Sequence, residues 1–111
     1  MDAVNPLAET VERVLCELAA AYRTSGSVRT LLAFDRNRGQ YLLVDEGWEG
    51  FRRIHAVWAH VEVNANRCRI HEDGTEEGIA NLLVRSGILE SQIVLAFLEP
   101  AIRESSAFAL T

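Results

Sequence analysis

The sequence predicts an α+β domain: an N-terminal helix packed on a four-stranded antiparallel β-meander, followed by one or two C-terminal helices. Three observations carry this. An amphipathic run with apolar residues three and four positions apart opens the chain. Four strand-like runs follow, separated by short turns rich in Asn and Gly. Helix-type spacing then returns after Gly78. At 111 residues the chain has the size of one domain, residues 1–111, with no linker, repeat or biased segment to divide it.

The first helix starts at Asn5-Pro6, because Asn caps well and Pro fits the first turn, where its missing N–H costs nothing. Leu7, Val11, Val14, Leu15, Leu18 and Tyr22 form its apolar stripe, with Glu9 and Arg13 expected as a modest ion pair on the other side. Ser25-Gly26-Ser27 ends it. The runs Val28 to Asp35 and Tyr41 to Trp48 flank Arg36-Asn37-Arg38-Gly39, whose Asn and Gly supply the positive φ of a tight hairpin. Trp48-Glu49-Gly50 is a second turn, Phe51 to Val63 the longest strand, and Asn64-Ala65-Asn66 turns it into Arg67 to Glu72. Such short connections require antiparallel neighbours. Strict alternation on the third strand puts His55, Val57, Ala59, Val61 and Val63 on the core side. Ile79, Leu82 and Leu83 then mark a helix that Gly87 closes as a left-handed cap. Ser91 to Leu98 fits a short helix or a buried strand, and periodicity does not separate the two.

Charge excludes some functions. All eleven cations are arginines, against sixteen Asp and Glu, a net charge of −5. Tight direct DNA binding is not expected, because phosphate attraction needs a cationic excess. No spanning or targeting segment is visible, and a cytoplasmic protein is expected. Cys16 and Cys68 have no zinc-type spacing and read as buried free thiols, with no metal and no cofactor implied.

Glu72-Asp73-Gly74-Thr75-Glu76-Glu77-Gly78 holds the densest set of functional groups. Asp73 as a helix cap, with Glu76 reaching back in a capping box, is favoured over a carboxylate or metal centre. A weaker acid/base alternative would draw on Asp45, His55, His60 and Glu62, with His71 facing one of the histidines according to hairpin register. His55 and His60 differ by an odd number of positions, which places them on opposite faces. Arg36, Arg38, Arg52, Arg53, Arg67 and Arg69 gather at strand ends, with Asp35, Asp45 and Glu49 as neighbouring acids. Trp48 at a turn either closes one end of the core or, with arginine nearby, marks a protein-binding surface. There is no GxSxG elbow and no glycine-rich phosphate loop.

Three stretches carry a family resemblance: FDRNRGQYLLVDEGWEGFRRIH from Phe34, EDGTEEGIANLLVRSGI from Glu72, and QIVLAFLEPAIR from Gln92 followed by Phe108-Ala109. Together they resemble the XisI family, the fdxN element excision controlling factors of cyanobacteria. The chain departs from the family's usual proline at Leu89 and glycine at Ala96, and has Cys68-Arg69-Ile70-His71 where a tryptophan-containing stretch is common. The resemblance implies a small non-enzymatic α+β factor that works with an XisH-like, nuclease-related partner when a recombinase excises a DNA element. An antitoxin-like restraint of that partner is the alternative. Under either reading Trp48, Arg53, Glu72, Asp73, Thr75, Glu76 and Glu77 are the expected partner contacts, and a homo-oligomer is compatible with both.

Overall fold

The structure, a computed structural model, describes residues 5–22 and 27–111. Helix α1 (Pro6–Ala21) begins as the sequence predicts: Asn5 is extended, its side chain accepts from the Ala8 N–H at 3.1 Å, and Pro6 occupies the first turn. Leu7, Val11, Val14, Leu15 and Leu18 are buried. Glu12 takes Arg36 through two hydrogen bonds of 2.8 and 2.9 Å, which ties the helix to the first hairpin turn. The helix ends at Ala21, with the Tyr22 N–H donating to the Leu18 carbonyl, ahead of the expected end at Ser25-Gly26-Ser27; Ser27 opens the first strand, and residues 25–26 lie outside the described residues.

Strands β1 (Ser27–Asp35), β2 (Gln40–Glu49), β3 (Arg52–Asn64) and β4 (Arg67–Asp73) form the expected antiparallel meander. A fifth strand, β5 (Ile93–Leu95), extends it beside β4 and runs parallel, giving the order β1-β2-β3-β4-β5. Helix α2 (Ile79–Arg85) provides the crossover that parallel pairing needs. That resolves Ser91 to Leu98: a single 3-10 turn at Glu90–Gln92 leads directly into a buried strand. A short helix α3 (Pro100–Arg103) and a tail follow, and Ala109 bridges to Val94.

One face of the sheet carries the core. Tyr41, Leu43, Ala59, Val61, Val63, Cys68, Ile70 and Ile93 meet α1 and the Ile79, Ala80 and Leu83 side of α2. Burial pushes the Cys68 thiol up to about 12, whereas Cys16 is exposed, because it falls on the polar side of α1. The expectation of two buried thiols therefore holds for Cys68 only.

Two bulges break the strict alternation. Leu43 pairs with Ala59 but Val44 with Val57, so Trp58 is an extra residue. It turns toward the helix side, where its ring stacks on Tyr22 at 5.4 Å and its Nε1–H donates to Asp45 Oδ1 at 2.9 Å. The shift leaves His55 and Val57 exposed while Ala59, Val61 and Val63 stay buried. It also brings His55 and His60 to the same face, since they sit opposite Glu46 and Leu42, which alternate in phase on β2. The second bulge makes His71 the extra residue of β4, since His60 pairs with Glu72 and Val61 with Ile70.

The α1 layer does not reach the far end of the β2–β3 hairpin. The Cα radius of gyration is 14.7 Å, against about 13 Å for a compact chain of this length. Residues 48–53 are exposed throughout, and the hairpin runs past its last pairing with β1, Ser27 to Trp48, as a short arm.

Candidate protein-binding surface

The sheet face opposite α1 carries, along β2 and β3, the opposed pairs Trp48/Arg53, Glu46/His55, Val44/Val57, Leu42/His60 and Gln40/Glu62. Arg29, Leu31, Ala33 and Asp35 of β1 border it on one side. Its chemistry changes along its length: an aromatic and arginine end, a half-exposed aliphatic centre, and a histidine and carboxylate end.

At the arm, Arg53 lies over the Trp48 ring, its guanidinium carbon 5.6 Å from the ring centre. Arg53 donates to Glu46 Oε2 at 2.6 Å and to the Gly47 carbonyl at 3.2 Å, while Arg29 donates to the other Glu46 oxygen at 2.8 Å. Hydrogen bonds from Arg29 first and Arg53 second hold the Glu46 carboxyl below the usual carboxylate range. The result is a tryptophan and an arginine held in one arrangement at the surface. Trp48 remains half exposed and outside the core cluster, so it does not close one end of the core. Phe51 at the tip is fully exposed. The sequence places Phe51 at the start of the third strand; it lies instead in the two-residue turn Gly50-Phe51.

At the other end, His60 and His71 stack with ring centres 4.7 Å apart. His60 Nε2–H donates to Gln40 Oε1 at 2.7 Å, and His71 Nε2–H donates to Glu62 Oε1 at 2.8 Å. Of the acid/base set, His60 and Glu62 are therefore neighbours through His71 and Gln40. Asp45 is not with them. It sits on the helix side of the sheet, accepting from Trp58 and from the Thr30 hydroxyl at 2.7 Å. His55 lies about 13 Å along the strand from His60, from their opposed positions on β2. Among the described residues, no cluster of three or more His, Cys, Asp or Glu is placed to hold a metal ion.

Burial first, and the charge of His71 second, lower the His60 pKa from its ordinary 6.5. A histidine that is harder to protonate folded than unfolded contributes stability that is complete above about pH 6.5 and lost as acid protonates the unfolded chain. Glu62, lowered from 4.5 chiefly by the His71 hydrogen bond, acts in the same direction at lower pH. Urea unfolding midpoints should thus fall from about pH 7.5 to about pH 5.5 and again below about pH 4.5. His60→Gln should flatten the first step, and an unchanged first step in that variant would refute the assignment.

The acidic segment after β4 divides into two roles. Asp73 Oδ1 accepts from the Thr75 N–H at 2.9 Å and its hydroxyl at 2.6 Å, and Oδ2 accepts from the Ile79 N–H at 2.8 Å. Thr75 Oγ1 in turn accepts from Gly78 N–H at 3.0 Å. Asp73 thus serves the start of α2 from six residues away. The capping box does not form, because Gly78, with φ of 92°, occupies the cap position and the helix starts at Ile79. Asp73 and Thr75 are committed to this loop. Glu72, Glu76 and Glu77 are exposed, Glu77 being paired with Arg85. The hairpin arginines pair locally as well: Arg38 with Asp35 at 3.0 Å, and Arg36 with Glu12.

An open, mainly polar depression of about 400 Å³ is lined by Asn5, Arg36, Arg38, Gly39 and Glu62 among others, and neither His60 nor His71 lines it.

A family model described as XisI protein matches residues 1–110. The chain belongs to the XisI family. Two solved XisI structures share its architecture. An XisI-like protein from Anabaena variabilis ATCC 29413 superposes with a TM-score of 0.87 at 24% identity, covering 94% of this chain and 95% of the other. The fdxN element excision controlling factor XisI from the same organism gives a TM-score of 0.77 at 26% identity over the same shares. No curated protein matches the chain. No helix among the described residues is long and apolar enough to cross a membrane.

Proposed function

We propose that the chain is a non-catalytic controlling factor in the excision of a DNA element, acting by binding an XisH-like protein. The observation that carries this is membership of the XisI family, with a 26%-identical relative described as the fdxN element excision controlling factor. The surface supports a docking role. Trp48, Phe51 and Arg53 on a projecting arm are the residue types that dominate protein interfaces, and Glu46 keeps the arginine in place. The acid excess of the whole chain disfavours DNA as the direct ligand and favours a partner with a basic surface. The exposed Glu72, Glu76 and Glu77 are a second region of contact.

The test is co-expression with an XisH-like protein and capture at low salt. The native chain should retain the partner. The double variant Trp48→Ala, Phe51→Ser should weaken retention at least about ten-fold, with circular dichroism unchanged because neither side chain supports the core. Failure of the native chain to form a complex, or cleavage of DNA by the purified chain alone, would refute the proposal.

A further inference from the structure

The other unpartnered element is an edge. β1 ends the sheet, and among the described residues no strand pairs with its outer side. Its register with β2 runs from Ser27 to Asp35 without a bulge, and it contains no proline. Natural edge strands are usually blunted by such devices, because a bare edge invites another strand. The edge is also apolar on both sides. Leu32, on the helix side, is 48% exposed and outside the core cluster, and Ala33 is exposed on the open side.

We propose that a second copy of this chain occupies this edge, its β1 pairing antiparallel with β1 about a two-fold axis at Leu32. The charges select both the occupant and the register. Arg29 and Asp35 share the open face of β1, six positions apart; besides their own pairs with Glu46 and Arg38, their side chains stay 70% and 40% exposed toward the edge's neighbour. A two-fold at Leu32 sets Arg29 of each copy opposite Asp35 of the other, so one register forms two opposite-charge cross-strand pairs. Thr30 then faces Phe34, Leu31 faces Ala33, and the exposed Leu32 side chains meet each other. Moving the axis to Leu31 would set Arg29 against Ala33, and a parallel arrangement would align arginine with arginine. The sheets of the two copies become continuous, and the arms and open faces of both remain available on one side.

Sedimentation and light scattering of the purified chain should show a dimer. Leu32→Lys places two ammonium groups together at the axis and should raise the dissociation constant at least about ten-fold, without altering the circular dichroism. Strand register is read by oxidation in a Cys16→Ser background. Leu32→Cys should cross-link, because directly opposed antiparallel residues lie about 4.5–5.5 Å apart, within disulfide reach. Leu31→Cys should not, because its opposite position is 33. A chain that stays monomeric at high micromolar concentration overturns the proposal. So does a dimer that tolerates Leu32→Lys and fails to cross-link through position 32. Neither measurement involves an XisH-like protein, so its outcome is separate from that of the capture experiment.

Discussion

Gly47→Ala is expected to destabilise the fold by about 4 kcal/mol, with the melting temperature falling by about 15 °C or more. Gly47 has φ of 152°, and a Cβ built there would lie 1.9 Å from the Ser27 carbonyl oxygen and 2.7 Å from the Val28 Cα. Both atoms are backbone of β1, held in the ladder opposite Gly47, so no side chain can swing aside. The strand itself must move, at the cost of its first pairings. Gly50→Ala is the control. It too has a positive φ, 63°, but nothing lies within 4 Å of the added carbon. Only the backbone preference is lost there, about 1 kcal/mol. Parallel thermal and urea melts of the two variants decide the matter, and equal losses would show that the close approach of β1 to β2 is not a constraint.

Asp73→Ala comes next, at about 3 kcal/mol. Removing this one carboxylate takes away the acceptor of three hydrogen bonds and leaves the Ile79 N–H at the head of α2 without its partner. Asp73→Asn keeps one oxygen acceptor and should cost about half as much. Glu76→Ala, a change in the same segment at an exposed side chain, should stay within about 0.5 kcal/mol. Urea melts read all three. If Asp73→Ala proved as mild as Glu76→Ala, the loop would not be built on Asp73.

What the sequence disclosed depended on whether the deciding interaction was local. Asn5-Pro6 and the apolar stripe from Leu7 to Leu18 define α1 within a few turns of chain, and Arg36-Asn37-Arg38-Gly39 defines a hairpin within four residues. Trp58 could not be read this way. Its displacement from the alternating pattern is settled by Tyr22 and Asp45, thirty-six and thirteen positions away, and it changes the face on which His55 falls. β5 is short and apolar on both sides, so only its place between β4 and the tail separates it from a helix. Among the candidate contacts, Trp48 and Arg53 are brought together because the two-residue turn sets them opposite each other. Glu46, which fixes the arginine, was hidden because cross-strand partners five to ten positions apart leave no periodic trace. Asp73 stands out by composition, but the helix it serves starts six positions on at Ile79, and no neighbouring residue marks that distance.

The strand order has a kinetic meaning. In β1 to β4 every neighbour in space is also the next segment of chain, joined by a turn of two to four residues. Such hairpins close in microseconds, and their contacts keep the mean sequence separation of the meander low. β5 is different: its parallel alignment beside β4 must wait until the intervening α2 has docked. Assembly should therefore run from the meander outward, with the Ile93–Leu95 strand and the Ala109 bridge that leans on it arriving last.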